Sequence, residues 1–188
     1  MKKQDILGAM AFIENASTQL GTTSHVWGGF TLDIYEGRFL REHSDIDYLT
    51  VDLLQLRPQL LEYFEQADWQ VKTVINGDVV ATRDGIELHL GDVYLRNRAV
   101  WTHNGKNGIL TFPLSWLRKK AVAFCGIQVH VVEPEFEYVV KHFPALLNPS
   151  WQPREKDISA RKRLAAILLE KNIDVNRLRS QVSDQIGA

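Results

Sequence analysis

The pattern of apolar and polar positions predicts a mixed sheet with helices packed on its faces. Apolar residues recur at helical spacing over residues 4–20, so we expect a first amphipathic helix there. Short runs of β-formers predict strands at residues 25–27 and 46–51, with a short helix at residues 30–35 between them. A second amphipathic helix is expected to begin near Pro58, because proline suits a first helical turn.

Turn-forming residues divide the middle of the chain into further strands. Residues 76–78 (Asn-Gly-Asp) and 84–85 (Asp-Gly) are strong hairpin signals between apolar runs, and residues 104–108 predict another tight turn. The apolar run at residues 127–132 is expected to form the last strand of the sheet.

The chain becomes helical from Pro134 onwards. We expect three helices in this part, at residues 135–147, 154–171 and 174–186. Asp174 is placed to cap the last of them. The fold class is therefore α+β, a mixed β-sheet with flanking helices and a helical C-terminal part. We predict a core over residues 1–133 and a helical subdomain packed on it over residues 134–188.

Composition limits the cellular location and the kinds of binding partner to be expected. The chain has 188 residues, 45% of them hydrophobic, with a formal net charge of -1 and a pI of about 6.6. A long polyanion is a poor first partner, because no global basic field attracts it. The single cysteine, Cys125, predicts no internal disulfide. No apolar run approaches the roughly 18 residues of a membrane span, so we expect a cytoplasmic protein without a membrane partner.

Asp45 and Asp47 are the first candidates for chemistry. Side chains two apart in a strand point to the same face, so both carboxylates project together while Ile46 faces the core. Two carboxylates this close favour a cation between them, and oxygen ligands suit Mg²⁺. The pair alone is equally compatible with an exposed strand start that carries acids.

Gly28 and Gly29 lie between a predicted strand and a predicted helix. Without side chains, their backbone N–H groups can approach a phosphate at the start of the helix. A plain turn is the alternative for the glycines alone. Together with Asp45 and Asp47 they indicate a phosphoryl-transfer site. The site is not a P-loop, because no Lys-Ser/Thr pair follows the glycines.

A third acid is needed to share the metal or to deprotonate an attacking hydroxyl. Glu87 is the best candidate, since Glu87 and His89 share one face of a predicted strand opposite aliphatic residues. A polar face turned to solvent is the alternative. Asp92 is the second choice for the third acid.

These residues resemble the signature of polymerase-β-type nucleotidyltransferases. The likeness is closest to the branch that contains lincosamide nucleotidyltransferases and aminoglycoside 2″-adenylyltransferases. It is carried by Gly28-Gly29, Asp33, Gly37, Arg41, His43 and Asp45-Ile46-Asp47. That branch commonly has Asp, followed two residues on by Cys or His, in a later strand. Glu87 and His89 stand there in this chain, which makes Glu87 one methylene longer than the usual base.

A later block of the sequence extends the resemblance. Glu133-Pro134-Glu135 followed by Lys141 is similar to the strand-to-helix element whose lysine approaches the nucleotide phosphates in that superfamily. Arg154 to Asp157 resembles the start of its final helical part, although Ala160 replaces the usual next acid. The resemblance implies the polymerase-β-like nucleotidyltransferase fold.

The resemblance also implies a reaction. ATP or another NTP would bind through Gly28, Gly29, Arg41 and Lys141, with Mg²⁺ held by Asp45, Asp47 and Glu87. Glu87 would activate a hydroxyl of a small molecule, an antibiotic being one candidate, for attack on the α-phosphorus. For Arg41, an exposed loop arginine that pairs with Glu42 is the alternative.

Two other functions remain open from the sequence. The basic residues between Arg154 and Arg179 favour nucleotidyl transfer to RNA or protein, as in toxin-like members of the superfamily. Glu87 in place of aspartate, together with Ala160, suggests a nucleotide-binding domain without turnover. The acceptor, the preferred NTP, the oligomeric state and the choice between Glu87 and Asp92 are likewise undetermined by the sequence.

Overall fold

The computed structural model of the chain describes residues 3–73, 78–103, 108–142, 150, 152 and 154–186. The α-helices among them are α1 (Lys3–Gln19), α2 (Thr31–Tyr35), α3 (Leu53–Gln66), α4 (Pro134–His142) and α5 (Glu155–Glu170). The strands are β1 (Ser24–Trp27), β2 (Asp45–Val51), β3 (Gln70–Thr73), β4 (Val79–Arg83), β5 (Ile86–Leu95), β6 (Ala99–His103), β7 (Gly108–Phe112), β8 (Val122–Phe124), β9 (Ile127–Val129) and β10 (Ser183–Ile186). The predicted α+β class is confirmed.

One mixed sheet organises the molecule. Its strand order is β1-β2-β5-β6-β7-β10, and β4 pairs with β5 and β3 with β4. β2 and β5 are parallel, whereas the other neighbours in this sheet are antiparallel. β5 is long enough to pair along one side with β4 and then with β6, while β2 covers its other side. β8 and β9 form a separate hairpin.

The predicted hairpins around β4 are confirmed. Asp84 and Gly85 join β4 to β5 with both residues at positive φ, 54° and 79°, as the tight turn requires. β3 and β4 pair antiparallel from Gln70 opposite Thr82 onwards. The predicted turn residues 76 and 77 lie outside the described residues, as do 104–107 between β6 and β7.

The start of α3 was predicted wrongly. The helix begins at Leu53, so Pro58 lies inside it rather than in its first turn. Asp52 precedes it in a left-handed conformation, φ 55°, and the carboxylate of Asp92 accepts the N–H of Leu54 at 3.1 Å. A distant side chain therefore satisfies a free donor at the helix start, which sequence spacing does not reveal.

The C-terminal predictions are partly wrong. α5 is confirmed, but the expected last strand at residues 127–132 yields only β9, which pairs with β8, and a single bridge from Val131 to Val26. The expected helix at residues 174–186 is instead two short 3₁₀ turns followed by β10. β10 pairs with β7 and is the last strand of the main sheet. Asp174 does cap the first of these turns, accepting the N–H of Asn176.

The two faces of the sheet bury separate cores. One core lies under α1 and α3 and includes Ile46 and Leu88. The other includes Leu49, Val93 and Phe136 together with buried residues of β6, β7 and α5. Because side chains alternate along a strand, the odd-numbered residues of β2 and β5 face the second core. The division at residue 133 stays a prediction, since this core unites residues from both sides of it. No helix within the described ranges is long and apolar enough to cross a membrane.

Candidate active site

Asp45 and Asp47 open β2 on the face of the second core. Asp45 is exposed, while the side chain of Asp47 is 25% exposed. Burial raises the pKa of Asp47 to about 6, and the charge of Asp45 adds to this, while His89 and Lys141 act in the opposite direction. The pair therefore holds negative charge that the protein compensates only in part, which suits a cation between the two groups.

The parallel pairing of β2 with β5 brings Glu87 to this pair. Asp45 lies opposite Glu87 in the register, and Asp47 lies opposite His89. Adjacent strands are roughly 4.8 Å apart, so Asp45, Asp47 and Glu87 form one acidic patch with His89 beside it. Asp92 faces the other side of the sheet, where it binds the backbone of α3. Of the two acids considered from the sequence, only Glu87 lies with Asp45 and Asp47.

His89 joins the acids to one another. Its Nε2 lies 2.5 Å from Oε1 of Glu87, and its Nδ1 lies 3.9 Å from Oδ1 of Asp47. The sequence placed His89 on the correct face but gave it no role. Among the described residues, no three His, Cys, Asp or Glu side chains converge as a metal site. Two carboxylates with unneutralised charge still fit Mg²⁺, which takes one or two protein carboxylates and completes its shell with phosphate oxygens and water.

Gly28 and Gly29 form the turn that packs against these acids. They begin a 3₁₀ turn after β1 that continues into α2. Gly28 has φ +78°, and a Cβ there would collide with the carboxylate of Asp47. A Cβ on Gly29 would lie 2.6 Å from Nη2 of Arg41. Gly28 therefore excludes a side chain, whereas a Cβ on Gly29 would require only the flexible end of Arg41 to move. The two contacts place the turn between Asp47 and Arg41.

The loop before β2 is held by a buried pair. Nε2 of His43 lies 3.0 Å from Oδ1 of Asp33, and Oδ2 of Asp33 accepts the N–H of Leu40 at 2.8 Å. Arg41 projects from this loop, and its Nη1 donates to the backbone carbonyl of Glu42 at 2.9 Å. Asp33 and His43 thus fix the loop that carries Arg41 and leads into Asp45.

α4 supplies two charged groups behind the glycine turn. Lys141 has a largely buried side chain, and its Nζ lies 3.5 Å from Oε2 of Glu137. Oε1 of Glu137 accepts the N–H of Gly28. Burial raises the pKa of Glu137 to about 7, although Lys141 and the Gly28 N–H act to lower it. Sequence reasoning missed Glu137. The only signal was an acid amid the apolar residues Phe136 and Val139–Val140.

The start of α5 lies near the same acids. Arg154 and Asp157 form a reciprocal cap, with Nε of Arg154 at 2.8 Å from Oδ2 of Asp157. This hydrogen bond raises the pKa of Arg154, and the charge of Asp45 contributes to the rise. The block that resembled the start of a final helix in the sequence therefore borders the acidic patch.

Comparison with known proteins identifies the family of the chain. The sequence profile of the aminoglycoside-2″-adenylyltransferase family matches residues 9–164. No curated protein sequence matches the chain. A solution structure of the antibiotic-resistance factor ANT(2″)-Ia is similar at TM-score 0.72 and 19% identity, covering 95% of this chain and 91% of that one.

Two liganded structures are also similar. The crystal structure of ANT(2″)-Ia with adenylyl-2″-tobramycin gives TM-score 0.68 at 20% identity, over 95% of this chain and 96% of that one. The lincomycin-bound lincosamide adenylyltransferase LnuA gives 0.65 at 16% identity, over 89% and 98%. Identities this low establish the fold alone, but the family profile spans most of the sequence. The chain therefore belongs to the aminoglycoside-2″-adenylyltransferase family of nucleotidyltransferases.

Proposed function

We propose that the chain transfers a nucleoside monophosphate, with AMP from ATP as the first candidate, to a hydroxyl of an aminoglycoside or lincosamide antibiotic. The observation that carries the proposal is the acidic patch of Asp45, Asp47 and Glu87 on two parallel strands. The patch lies beside the Gly28–Gly29 turn. Lys141 is close enough for its charge to lower the pKa of Asp47.

Asp45 and Asp47 are the residues that would hold Mg²⁺. When bound, the ion would neutralise charge on the triphosphate and on the departing pyrophosphate. Lys141 and Arg41 would bind phosphate oxygens, Lys141 as a point charge and Arg41 through two donors of its planar guanidinium group. The Gly28 N–H is already bonded to Glu137, so the Gly29 side of the turn is the part left for a phosphate.

Glu87 is the proposed general base. It takes the proton of the acceptor hydroxyl as that oxygen attacks the α-phosphorus in line. A new P–O bond forms, the bond from the α-phosphorus to the oxygen bridging it to the β-phosphorus breaks, and pyrophosphate leaves with the electron pair. His89, hydrogen-bonded to Glu87, orients its carboxylate. Most of the rate acceleration would come from positioning and fixed charges.

The acceptor class is supported by the relatives and by one acid. Two of the similar structures contain lincomycin or an adenylylated tobramycin. In this chain, Oδ1 of Asp78 lies 3.8 Å from the point that a Cβ on Gly91 would occupy. Gly91 follows His89 on the same face of β5, and Asp78 is close enough to His89 for their charges to interact. An acid there favours a cationic acceptor such as an aminoglycoside.

The test is a transfer assay with Mg²⁺, each of the four NTPs, and panels of aminoglycosides, lincosamides and bulk RNA. We expect an adenylylated antibiotic by mass spectrometry, pyrophosphate release at the same rate, and neither product with Asp45→Asn. If calorimetry shows that the parent binds none of the NTPs, the proposal is wrong. Label that appears only on RNA or on the protein itself would instead support the toxin-like function.

A further inference from the structure

Glu137 lies between the Gly28 turn and Lys141 and takes no part in the proposed chemistry. Its side chain is fully buried, which is rare for a carboxylate because removal from water destabilises the charged form. It has two partners, the N–H of Gly28 through Oε1 and the ammonium group of Lys141 through Oε2. The contact with Lys141 is an ion pair at 3.5 Å, and Oε2 has no hydrogen-bond partner among the described residues. Removing either partner would leave a buried carboxylate with less compensation.

The two partners belong to different halves of the site. Gly28 begins the turn that passes over Asp47 so closely that no Cβ fits between them. Lys141 sits one helical turn beyond Glu137 on α4, and its charge lowers the pKa of Asp47. Glu137 therefore connects the glycine turn after β1 to the lysine of α4, at the point where both approach the acidic patch.

We propose that Glu137 is a positioning residue that fixes the Gly28 turn and Lys141 relative to Asp47, so that the triphosphate meets a preformed site. The inference rests on the proposed nucleotidyl transfer. Glu137 touches no nucleotide, because its side chain is fully buried behind Gly28. It acts on the nucleotide indirectly, because it holds the backbone of the Gly28 turn and the ammonium group of Lys141 in place.

The opposite role is an outcome of the same test. A carboxylate that holds Lys141 could compete with phosphate for that cation, and its removal would then tighten nucleotide binding. The full burial of Glu137 favours positioning, since a side chain enclosed by close-packed neighbours is held in one place.

Glu137→Gln separates the two contacts. The amide oxygen still accepts the N–H of Gly28, but the side chain no longer carries the charge that holds Lys141. We expect KM for the NTP to rise about 10-fold or more, since displacing a binding group by about 1 Å costs on the order of 100-fold. Glu137→Asp, which keeps the charge but is one methylene shorter, should raise KM similarly, because it cannot reach both partners.

A cycle with Lys141→Met tests whether the effect passes through the lysine. In the Lys141→Met background, Glu137→Gln should raise KM less than it does in the parent. Glu62→Gln, an acid on α3 at the opposite face of the sheet, is the matched control and should leave KM unchanged. An unchanged KM in both Glu137 variants, a lower KM in Glu137→Gln, or fully additive effects in the cycle would each overturn the inference.

The amide of Gly28 gives a readout without nucleotide. A carboxylate acceptor should shift its proton resonance downfield in the parent, and the shift should diminish in Glu137→Gln but persist in Glu62→Gln. If the amide proton shift of Gly28 is the same in the parent and in Glu137→Gln, the contact between Gly28 and Glu137 is refuted. If the parent binds no NTP, the proposed function fails. If the parent and Glu137→Gln bind NTP equally well, only the role of Glu137 fails.

Discussion

At the scale of single residues, the acids of the candidate site differ in their surroundings. Asp47 is mostly buried beside Asp45, Glu87 is half-exposed beside His89, and Glu137 is wholly buried with Lys141. Burial makes the first and last of these acids harder to ionise, whereas Glu87 remains open to an incoming hydroxyl. The proposed roles of ligand, base and positioning group rest on these differences in environment more than on the residue types.

Substitution of Glu87, the proposed general base, tests whether the chain turns over or only binds nucleotide. We expect Glu87→Gln to lower kcat on the order of 100- to 10,000-fold, the usual contribution of a general base, while NTP affinity by calorimetry stays within a few-fold. Glu87→Asp should retain more activity than the amide, because the carboxylate remains although it lies one methylene farther from His89. A glutamine variant with the kcat of the parent would show that another group takes the proton.

Asp47 illustrates the opposition between stability and function. At pH 8 without divalent ions, Asp47→Asn should raise the free energy of unfolding by about 1–3 kcal/mol, because it removes a buried charge that faces Asp45. The same variant should lose transfer activity and the stabilisation that Mg²⁺ with NTP gives the parent. Asp84→Asn, an exposed acid next to Arg83, is the control and should change neither melting temperature nor activity. A destabilised Asp47→Asn would contradict the charge argument.

At the scale of elements, local patterns in the sequence predicted what short-range physics determines. The alternation along β2 and β5 gave the shared face of Asp45, Asp47 and Glu87, and the Asp-Gly pair gave the β4–β5 turn. The misassigned elements depend on distant partners. The start of α3 relies on Asp92, and β10 is a strand because the edge of β7 supplies its hydrogen bonds.

The same limit applies to Glu137. Its proposed role depends on its contact with Gly28, which lies more than a hundred residues earlier in the chain. Periodicity could mark it only as an acid in an apolar helix face. Sequence resemblance found the residues of the signature, whereas the contact that joins them needed the fold.

Asp92 provides a test at this scale. Asp92→Ala removes the acceptor for the N–H of Leu54, and we expect the free energy of unfolding to fall by about 1 kcal/mol, as for other lost helix caps. The kcat of the folded protein should be unchanged, because Asp92 faces away from the acidic patch. Urea unfolding and steady-state kinetics on the same sample measure the two effects. A loss of kcat as large as that of Glu87→Gln would return Asp92 to the list of third acids.

At the scale of the whole molecule, the sheet separates two hydrophobic cores, of which only one borders the candidate active site. The core under α1 and α3 is apolar, whereas the core under α4 and α5 ends at the acidic patch. β1 lies at the edge of the sheet, between this patch and the segment around Val131. We therefore expect a change of charge in β1 to alter the stability of the folded chain.

His25 in β1 is the group through which pH should act. It is buried, its Nε2 lies 3.1 Å from the carbonyl oxygen of Arg118, and its Nδ1 has no hydrogen-bond partner within the described part of the chain. Burial lowers its pKa from 6.5 to about 4, and the nearby His130 contributes to the decrease. The folded protein therefore holds His25 neutral at pH values where the unfolded chain is already protonated.

The sign of the effect follows from linkage. Because the folded pKa is below the unfolded one, the contribution of His25 is complete above pH 6.5 and is lost as the pH falls from 6.5 towards 4, up to about 3 kcal/mol. His25→Gln can still donate to the carbonyl of Arg118 but cannot titrate. Urea unfolding between pH 8 and pH 4.5 should give parallel stabilities above pH 7 and a shallower decline for the variant below it. Equal declines in the two proteins would mean that other groups carry the acid sensitivity of the fold.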